Sequence, residues 1–271
     1  MARSHVQDLF GHGDLVVQFT KRELELRHKG SRLGHLWAIL RPMTMLALYL
    51  FVFGVLMGGR FGAYPEETTF DFAVALFLSI SLFTIVLEAM AVAPALVLNQ
   101  PNFVKKVVFP LQIMSISNVA TSLYHGMLSA VVALALGLCS HHPPSWTGLA
   151  ALPVLLVPLT LFSLGISWAL SAVGLFVRDV GQFIPFASQA LLYASAVVYP
   201  PSRIILTAPR AWAILRYNPF LRLIDEARRV ILWHMPPHYA VWGYLYLTGA
   251  LTALAGYVIF AVLRPYFAEV L

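Results

Sequence analysis

Long apolar runs alternate with short polar breaks along most of this chain. Six of them, at 37–57, 72–98, 111–138, 149–177, 180–199 and 240–263, are close to or above the ~20 residues that an α-helix needs to cross a bilayer. At about 1.5 Å rise per residue the longer runs exceed a hydrocarbon layer of ~30 Å, so they must tilt, kink or project beyond it. Pro94, Pro153, Pro158 and Pro185 lie inside such runs as candidate kinks. The pattern predicts an all-α integral membrane protein with six transmembrane helices.

The breaks carry their own patterns. Before the first run, Leu15, Phe19 and Leu26 fall on one side of a predicted amphipathic helix over 15–29. Glu23 with Arg27 and Glu25 with Lys29 have i,i+4 spacing, and Gly30 is a natural stop. Such a helix is expected on the inner membrane surface. The break at 99–110 reads NQPNFVKKVVFP; Pro101 can start a short helix there. The segment 200–239 predicts two short helices. Thr207 caps the first, with Pro209 in its first turn, and Asn218 caps the second, with Pro219 as its first residue. In the second, Phe220, Ile224, Ala227 and Ile231 share one face. Arg222–Glu226 and Asp225–Arg229 are i,i+4 pairs on the other. Both helices are too short to cross, so they are expected to be interfacial or re-entrant. The whole is one transmembrane domain, 1–271: 1–36 lead-in, 37–199 spans one to five, 200–239 the short helices, 240–263 span six and 264–271 the tail.

Small residues spaced by four, at Gly54 and Gly58, Gly165 and Ala169, and Gly249 and Ala253, allow close helix approach in lipid, though such spacing is common.

Composition agrees with the pattern. Of 271 residues 59% are hydrophobic and 11% charged, against about 25% charged in soluble domains, and mean hydropathy is +0.77. The net charge of +6 implies no nucleic-acid partner, because lysine and arginine in membrane chains set orientation. With the N-terminus inside, 1–36, 99–110, the turn at Arg178 and Asp179, and the tail from Arg264 are basic inner segments, and the outer breaks at 58–71 and 139–148 hold only Arg60. Arg203, Arg210, Arg216, Arg222, Arg228 and Arg229 then fall outside, against the rule, so they need a local role. Anionic headgroups, or an acidic or diphosphate-linked polymer, are candidate partners, as is snorkelling to outer phosphates. The first 36 residues, rich in both charges, do not read as a signal peptide. Cys139 is the only cysteine, which leaves no internal disulfide and no thiolate cluster.

Catalytic signatures are missing. No GxxxxGK[ST], HExxH, CxxC or GxSxG sequence occurs. His141 and His142 lack a third ligand and read as loop polarity. Glu88 is the one acidic residue deep in a span and His125 sits mid-span, with very few other ionisable groups in the runs; either could be functional or simply hydrogen-bonded. In the fifth run Gln182, Phe186, Gln189 and Tyr193 step by four, three and four on one face, with Phe183 beside them. Amides and rings make little sense against lipid, and good sense against hydroxyls and apolar sugar faces in a conduit. Tyr49 and Phe53 of the first run can supply a facing aromatic surface; aromatic core packing is the alternative for both sets.

Four blocks carry a family resemblance. RELELRHKGSRLGHLWAILRPMTMLALYLFVFG (22–54), NFVKKVVFPLQIMSISNV (102–119), GLFVRDVGQ (174–182) and YNPFLRLIDEARRVILW (217–233) resemble, in order, the ABC-2 type exporters, and most the membrane subunits of O-antigen exporters, with capsule and teichoic-acid exporters nearby. The resemblance implies six transmembrane helices with both termini cytoplasmic, in the bacterial inner membrane. It implies a homodimer around a pore, two copies of a separate ATPase subunit holding ATP and Mg, and a lipid-linked polysaccharide as substrate, with no cofactor in this chain. It implies an interface helix at 15–29 and a coupling helix with Pro101, Asn102, Phe103, Lys105 and Lys106 as ATPase contacts. Two outer gate helices, with Asn218, Arg222, Arg228 and Arg229, are placed at 207–216 and 219–234. It implies a conduit bounded mainly by spans one and five and bearing aromatic rings, which supports Tyr49, Phe53, Gln182, Phe186, Gln189 and Tyr193 as its expected lining. Two other classes stay open: a membrane transferase using Asp225 and Glu226 on lipid-linked sugars, and a secondary transporter, for which the halves show no self-similarity.

Overall fold

A computed structural model describes residues 13–28, 36–105 and 109–271, and every regular element among them is helical. Helix α1 (Gly13–His28) precedes α2 (Trp37–Tyr49), which runs without a break into a π-helical stretch, Leu50–Leu56. Then come α3 (Thr69–Val92), α4 (Pro101–Lys105), α5 (Gln112–Gly137), α6 (Trp146–Phe176) and α7 (Val180–Ala194). Three short helices follow: α8 (Pro201–Thr207), α9 (Pro209–Leu215) and α10 (Pro219–Ala227), the last extended by a π-helical turn, Arg228–Leu232. Helix α11 (Tyr239–Leu263) and a terminal turn of helix, α12 (Phe267–Val270), complete the chain. Among the described residues, four helical stretches are long and apolar enough to cross a membrane: Thr69–Ala95, Gln112–Gly137, Trp146–Phe176 and Tyr239–Val270.

Local chemistry sets several boundaries. Thr68 and Asp71 form a reciprocal capping box: the Thr68 hydroxyl accepts from Asp71 N at 3.1 Å, and Asp71 Oδ2 accepts from Thr68 N at 2.9 Å. Ser145 caps α6 by accepting from Gly148 N at 2.9 Å. Pro94 has no N–H to continue α3, so the helix tightens into a 3₁₀ turn at Ala93–Ala95. Pro153 and Pro158 are absorbed within α6, which runs unbroken through both.

Helix α3 is the axis of the bundle, with almost every side chain from Phe72 to Val86 buried. Helices α5 and α6 pack on it, and α11 packs along α6. The α6–α11 seam is set by glycine. A Cβ on Gly256 would stand 1.9 Å from the Gly165 carbonyl oxygen, and one on Gly165 would stand 2.2 Å from the Thr252 carbonyl oxygen. The two backbones therefore touch, as small residues permit in lipid. Polar side chains join the buried helices. Asn118 donates to Ala89 O at 3.0 Å and to Ser167 Oγ at 3.3 Å, the Ser115 and Ser171 hydroxyls lie 3.2 Å apart, and Trp168 Nε1 donates to Gln112 O at 3.3 Å.

Several expectations are corrected. The fifth run stops being helical at Ala194: Ala196 is buried with φ of 50°, and a left-handed residue cannot continue the helix. Three short helices stand between α7 and α11, where two were expected. Thr207 ends α8, its hydroxyl turned back to Arg203 O, and α9 has Ala208 as N-cap without a side-chain bond. Gly58, expected at a helix contact, has φ of 59° and ends the first helical run in a turn. Gly165 pairs in practice with Gly256, which the spacing of small residues did not single out. The expected stop at Gly30 and pairs of Glu23 with Arg27 and Glu25 with Lys29 lie outside the described residues; Glu23 Oε2 accepts from Thr121 Oγ1 at 3.4 Å.

Candidate functional site

Three surfaces hold the residues that the sequence singled out. The first is the outer face of α7. Ile184 and Leu192 turn inward and are buried, which leaves Gln182, Phe183, Phe186, Gln189 and Tyr193 exposed together. The rings of Phe183 and Phe186 lie 5.6 Å apart. Across from them the Tyr49 and Phe53 rings are 6.0 Å apart, half-buried, and Tyr49 lies within electrostatic reach of Tyr193. The first and fifth runs thus bring amides and rings onto neighbouring surfaces, without a charged group among them. Such a surface can stack on sugar rings and hydrogen-bond hydroxyls; it holds no acid–base pair.

The second surface is the cap built by α8 to α10. Asn218 accepts from Phe220 N at 3.0 Å as the expected N-cap. Its Nδ2 also donates to Ala194 O at 3.1 Å and Ser195 Oγ at 3.2 Å, tying the cap to the end of α7. Phe220, Ile224, Ala227 and Ile231 are all buried, so the apolar face reads as expected. The polar face does not. Arg222 donates to Arg216 O at 2.8 Å, and the ion pairs run i,i+3: Arg228 to Asp225 at 3.6 Å and Arg229 to Glu226 at 3.7 Å. The expected i,i+4 pairs do not form because their members are taken elsewhere: Arg222 by the Arg216 carbonyl, and Glu226 by His238 and Trp242.

Arg228 is the largest departure. Expected at an exposed position, it is fully buried. Its guanidinium sits over the Phe61 ring at 4.4 Å, with Trp233 at 5.9 Å, and donates to Ala196 O at 3.2 Å. Burial lowers its pKa to about 10, against the pull of Asp225 and Glu67, so it stays charged at neutral pH. In this state it meets neither headgroup nor polymer. Glu226 is also buried: Oε1 lies 2.7 Å from His238 Nδ1, and Oε2 accepts from Trp242 Nε1 at 3.1 Å and His238 N at 3.2 Å. Asp225 and Glu226 are therefore engaged with separate partners and do not form an acid–base pair.

The third surface is the opposite end, where α1, α4 and α12 converge. Phe103 packs edge-on against Phe19 at 5.5 Å, and Phe109 stands 4.8 Å from Phe19 and 5.0 Å from Phe103. Phe103 therefore holds α4 to α1 within the chain, while Pro101, Asn102 and Lys105 face outward. Lys106 lies outside the described residues.

Residues 14–233 match the family described as ABC-2 type transporter. The chain belongs to the ABC-2 type transporter family. Curated relatives of this ABC-2 chain include an "O-antigen export system permease protein RfbA" of Klebsiella pneumoniae, 28% identical over 95% of each chain. A protein of the same name from Myxococcus xanthus is 26% identical over 86% of this chain and 85% of its own length. The "Polysialic acid transport protein KpsM" of Escherichia coli is 24% identical over 78% of each.

Sequence reasoning missed two arrangements in this ABC-2 chain. Glu67 is buried and accepts from Phe61 N at 3.0 Å and Gly62 N at 2.6 Å, which folds the loop carrying Phe61 under Arg228. With Glu66 beside it and Asp71 four residues on, nothing in the sequence separates Glu67 from an ordinary loop acid. Glu88 and His125, read separately, are one pair: Nδ1 and Oε2 lie 2.9 Å apart across α3 and α5. Their separation of 37 positions hides this in the sequence.

Proposed function

We propose that this chain is the pore-forming membrane subunit of an ATP-driven exporter that moves a lipid-linked polysaccharide out of the cell. The observation that carries this reading is the exposed, uncharged stripe Gln182, Phe186, Gln189 and Tyr193, in an ABC-2 chain whose relatives over most of its length are O-antigen export permeases. In this reading α2 with its π-helical continuation, and α7, cross the bilayer beside the four longer helices. That makes six spans with both termini cytoplasmic, in a bacterial inner membrane. Helices α8 to α10 form an outer gate. Two copies pair so that the α2 and α7 surfaces enclose a conduit. ATP hydrolysis belongs to two separate ATPase subunits. Their motion enters through Pro101, Asn102 and Lys105, and Phe103 passes it to α1. The polymer advances by stacking and hydrogen bonding, and no covalent bond changes in this chain.

A capsular polysaccharide is the second substrate reading, favoured by the similarity to the polysialic acid transport protein. The transferase reading has less support, because Asp225 and Glu226 are each engaged elsewhere.

The test is the double change Asn102→Ala, Lys105→Glu in cells carrying the cognate ATPase. Expected are normal membrane insertion, loss of ATPase co-purification by more than about tenfold, and loss of surface polymer. Unchanged ATPase recruitment would remove the coupling assignment. Export sustained without any ATPase would remove the whole reading.

A further inference from the structure

A cavity of about 350 Å³ opens at the end of the bundle where α11 finishes. Gln112, Tyr257, Phe260, Ala261, Arg264 and Pro265 line it, which places it between the start of α5 and the end of α11. This volume falls within the roughly 300–1,000 Å³ of ligand pockets. The exposed stripe of α7 and the outward residues of α4 do not contribute to it.

Its polar groups are unusual. Gln112 is only 3% exposed, and its main-chain carbonyl is engaged by Trp168 Nε1. No side-chain hydrogen bond of Gln112 is formed among the described residues, which leaves its amide available where it lines the cavity. Arg264 makes no ion pair among the described residues, and no acidic residue lines the cavity. The Tyr257 ring is held edge-on by Trp168 at 5.5 Å. One cation, one buried amide and one phenol thus converge on a space floored by Phe260 and Ala261. That is donor chemistry for a phosphate, with an apolar wall beside it.

The surroundings say which phosphate. Arg264 directly follows α11, a helix long and apolar enough to cross a membrane, and a basic side chain at the end of such a helix reaches toward headgroup phosphates. On a different face of α11, roughly 110° round the helix from the cavity-lining residues, Leu247, Leu251, Leu254, Val258 and Val262 are 49–62% exposed and step by four, three, four and four. This stripe is about 22 Å long at the helical rise, more than one leaflet of hydrocarbon. A soluble phosphate would use the cavity and leave the stripe idle; a phospholipid uses both.

We propose that this cavity is a binding site for an anionic glycerophospholipid, with its phosphate on Arg264, Gln112 and Tyr257 and an acyl chain along the α11 stripe. The site does not depend on the transport reading, and its test is a binding measurement rather than export. The purified full-length chain is mixed with equal phosphatidylglycerol and phosphatidylcholine and examined by native mass spectrometry. The wild type is expected to retain phosphatidylglycerol about tenfold over phosphatidylcholine, Arg264→Gln to fall to parity, and Arg264→Lys to recover part of the preference. Tyr257→Phe, which removes only a hydroxyl, should lose about threefold with unaltered thermal stability, and it decides the matter if Arg264→Gln does not fold. Four results would overturn the proposal: equal retention of both lipids by the wild type, undiminished preference in Arg264→Gln (or, if that variant does not fold, in Tyr257→Phe), displacement of the lipid by inorganic phosphate, or a change of oligomeric state in Arg264→Gln, which would make the cavity a contact between copies.

Discussion

The α6–α11 seam allows one substitution to be tried with opposite signs on a single helix. In Gly256→Ala the new methyl would stand 1.9 Å from the Gly165 carbonyl oxygen and 2.6 Å from its carbon. Relief to an ordinary contact of ~3.4 Å needs a shift of about 1.5 Å, and both obstacles are backbone, which has no rotamer to change. A gap of even 0.5–1 Å forfeits roughly a quarter to a half of each dispersion contact along the seam. Overpacking on this scale costs about 3 kcal/mol, and better helix propensity offsets at most ~1, leaving a loss of about 2. Gly243 lies on the same helix with nothing within 4 Å of its Cβ position, so Gly243→Ala has no clash to relieve and gains up to about 1 kcal/mol. Thermal unfolding of the purified chain in lipid nanodiscs, followed by tryptophan fluorescence, separates the two. Gly256→Ala should lower Tm by about 4–8 °C, and Gly243→Ala should leave it level or raise it slightly. A Tm unchanged by Gly256→Ala, or equal losses in both variants, would refute backbone contact as what holds α6 and α11 together.

Asn218→Ala should cost about 2 kcal/mol in the same assay, since it removes the cap of α10 and the bonds to Ala194 and Ser195, whereas Asn218→Asp, which keeps the cap alone, should lose about half as much. Equal losses would mean that the link to α7 carries no energy. Arg228→Lys should fail to replace the buried guanidinium, lowering stability by about 2–4 kcal/mol and reducing export, because the shorter-headed ammonium cannot both cover the Phe61 ring and keep the donor shared between the Ala196 and Val197 carbonyls; wild-type behaviour in Arg228→Lys would reduce the site to a point charge. Phe186→Ala with Gln189→Leu, at exposed positions, should leave Tm unchanged while polymer at the cell surface falls by about tenfold or more; full export would assign that face to lipid instead of substrate.

The hydrophobic pattern by itself determined where the long helices lie. Helices α3, α5, α6 and α11 fall within a few residues of the apolar runs, because bilayer thickness and helix rise together demand runs of that length. Local rules were equally legible: Asn218 caps α10, and the apolar face from Phe220 to Ile231 is buried, since both follow from backbone geometry within one or two turns. The α7 stripe could be read for the same reason, as helical phase puts Gln182 and Tyr193 on one face wherever the helix sits. Only the tertiary structure decided the long-range matters. The pairing of Glu88 with His125, the contact of Gly256 with Gly165, and the convergence of Phe19, Phe103 and Phe109 join residues from separate helices, and periodicity says nothing about which helix is the neighbour. Arg228 shows why most plainly. As a residue type it belongs at a surface, and it is buried because a loop far earlier in the chain, folded around Glu67, brings Phe61 beneath it, while the turn after α7 points the Ala196 and Val197 carbonyls toward it. A charge can leave water only where several distant groups replace the water together, and that assembly exists only in the folded chain.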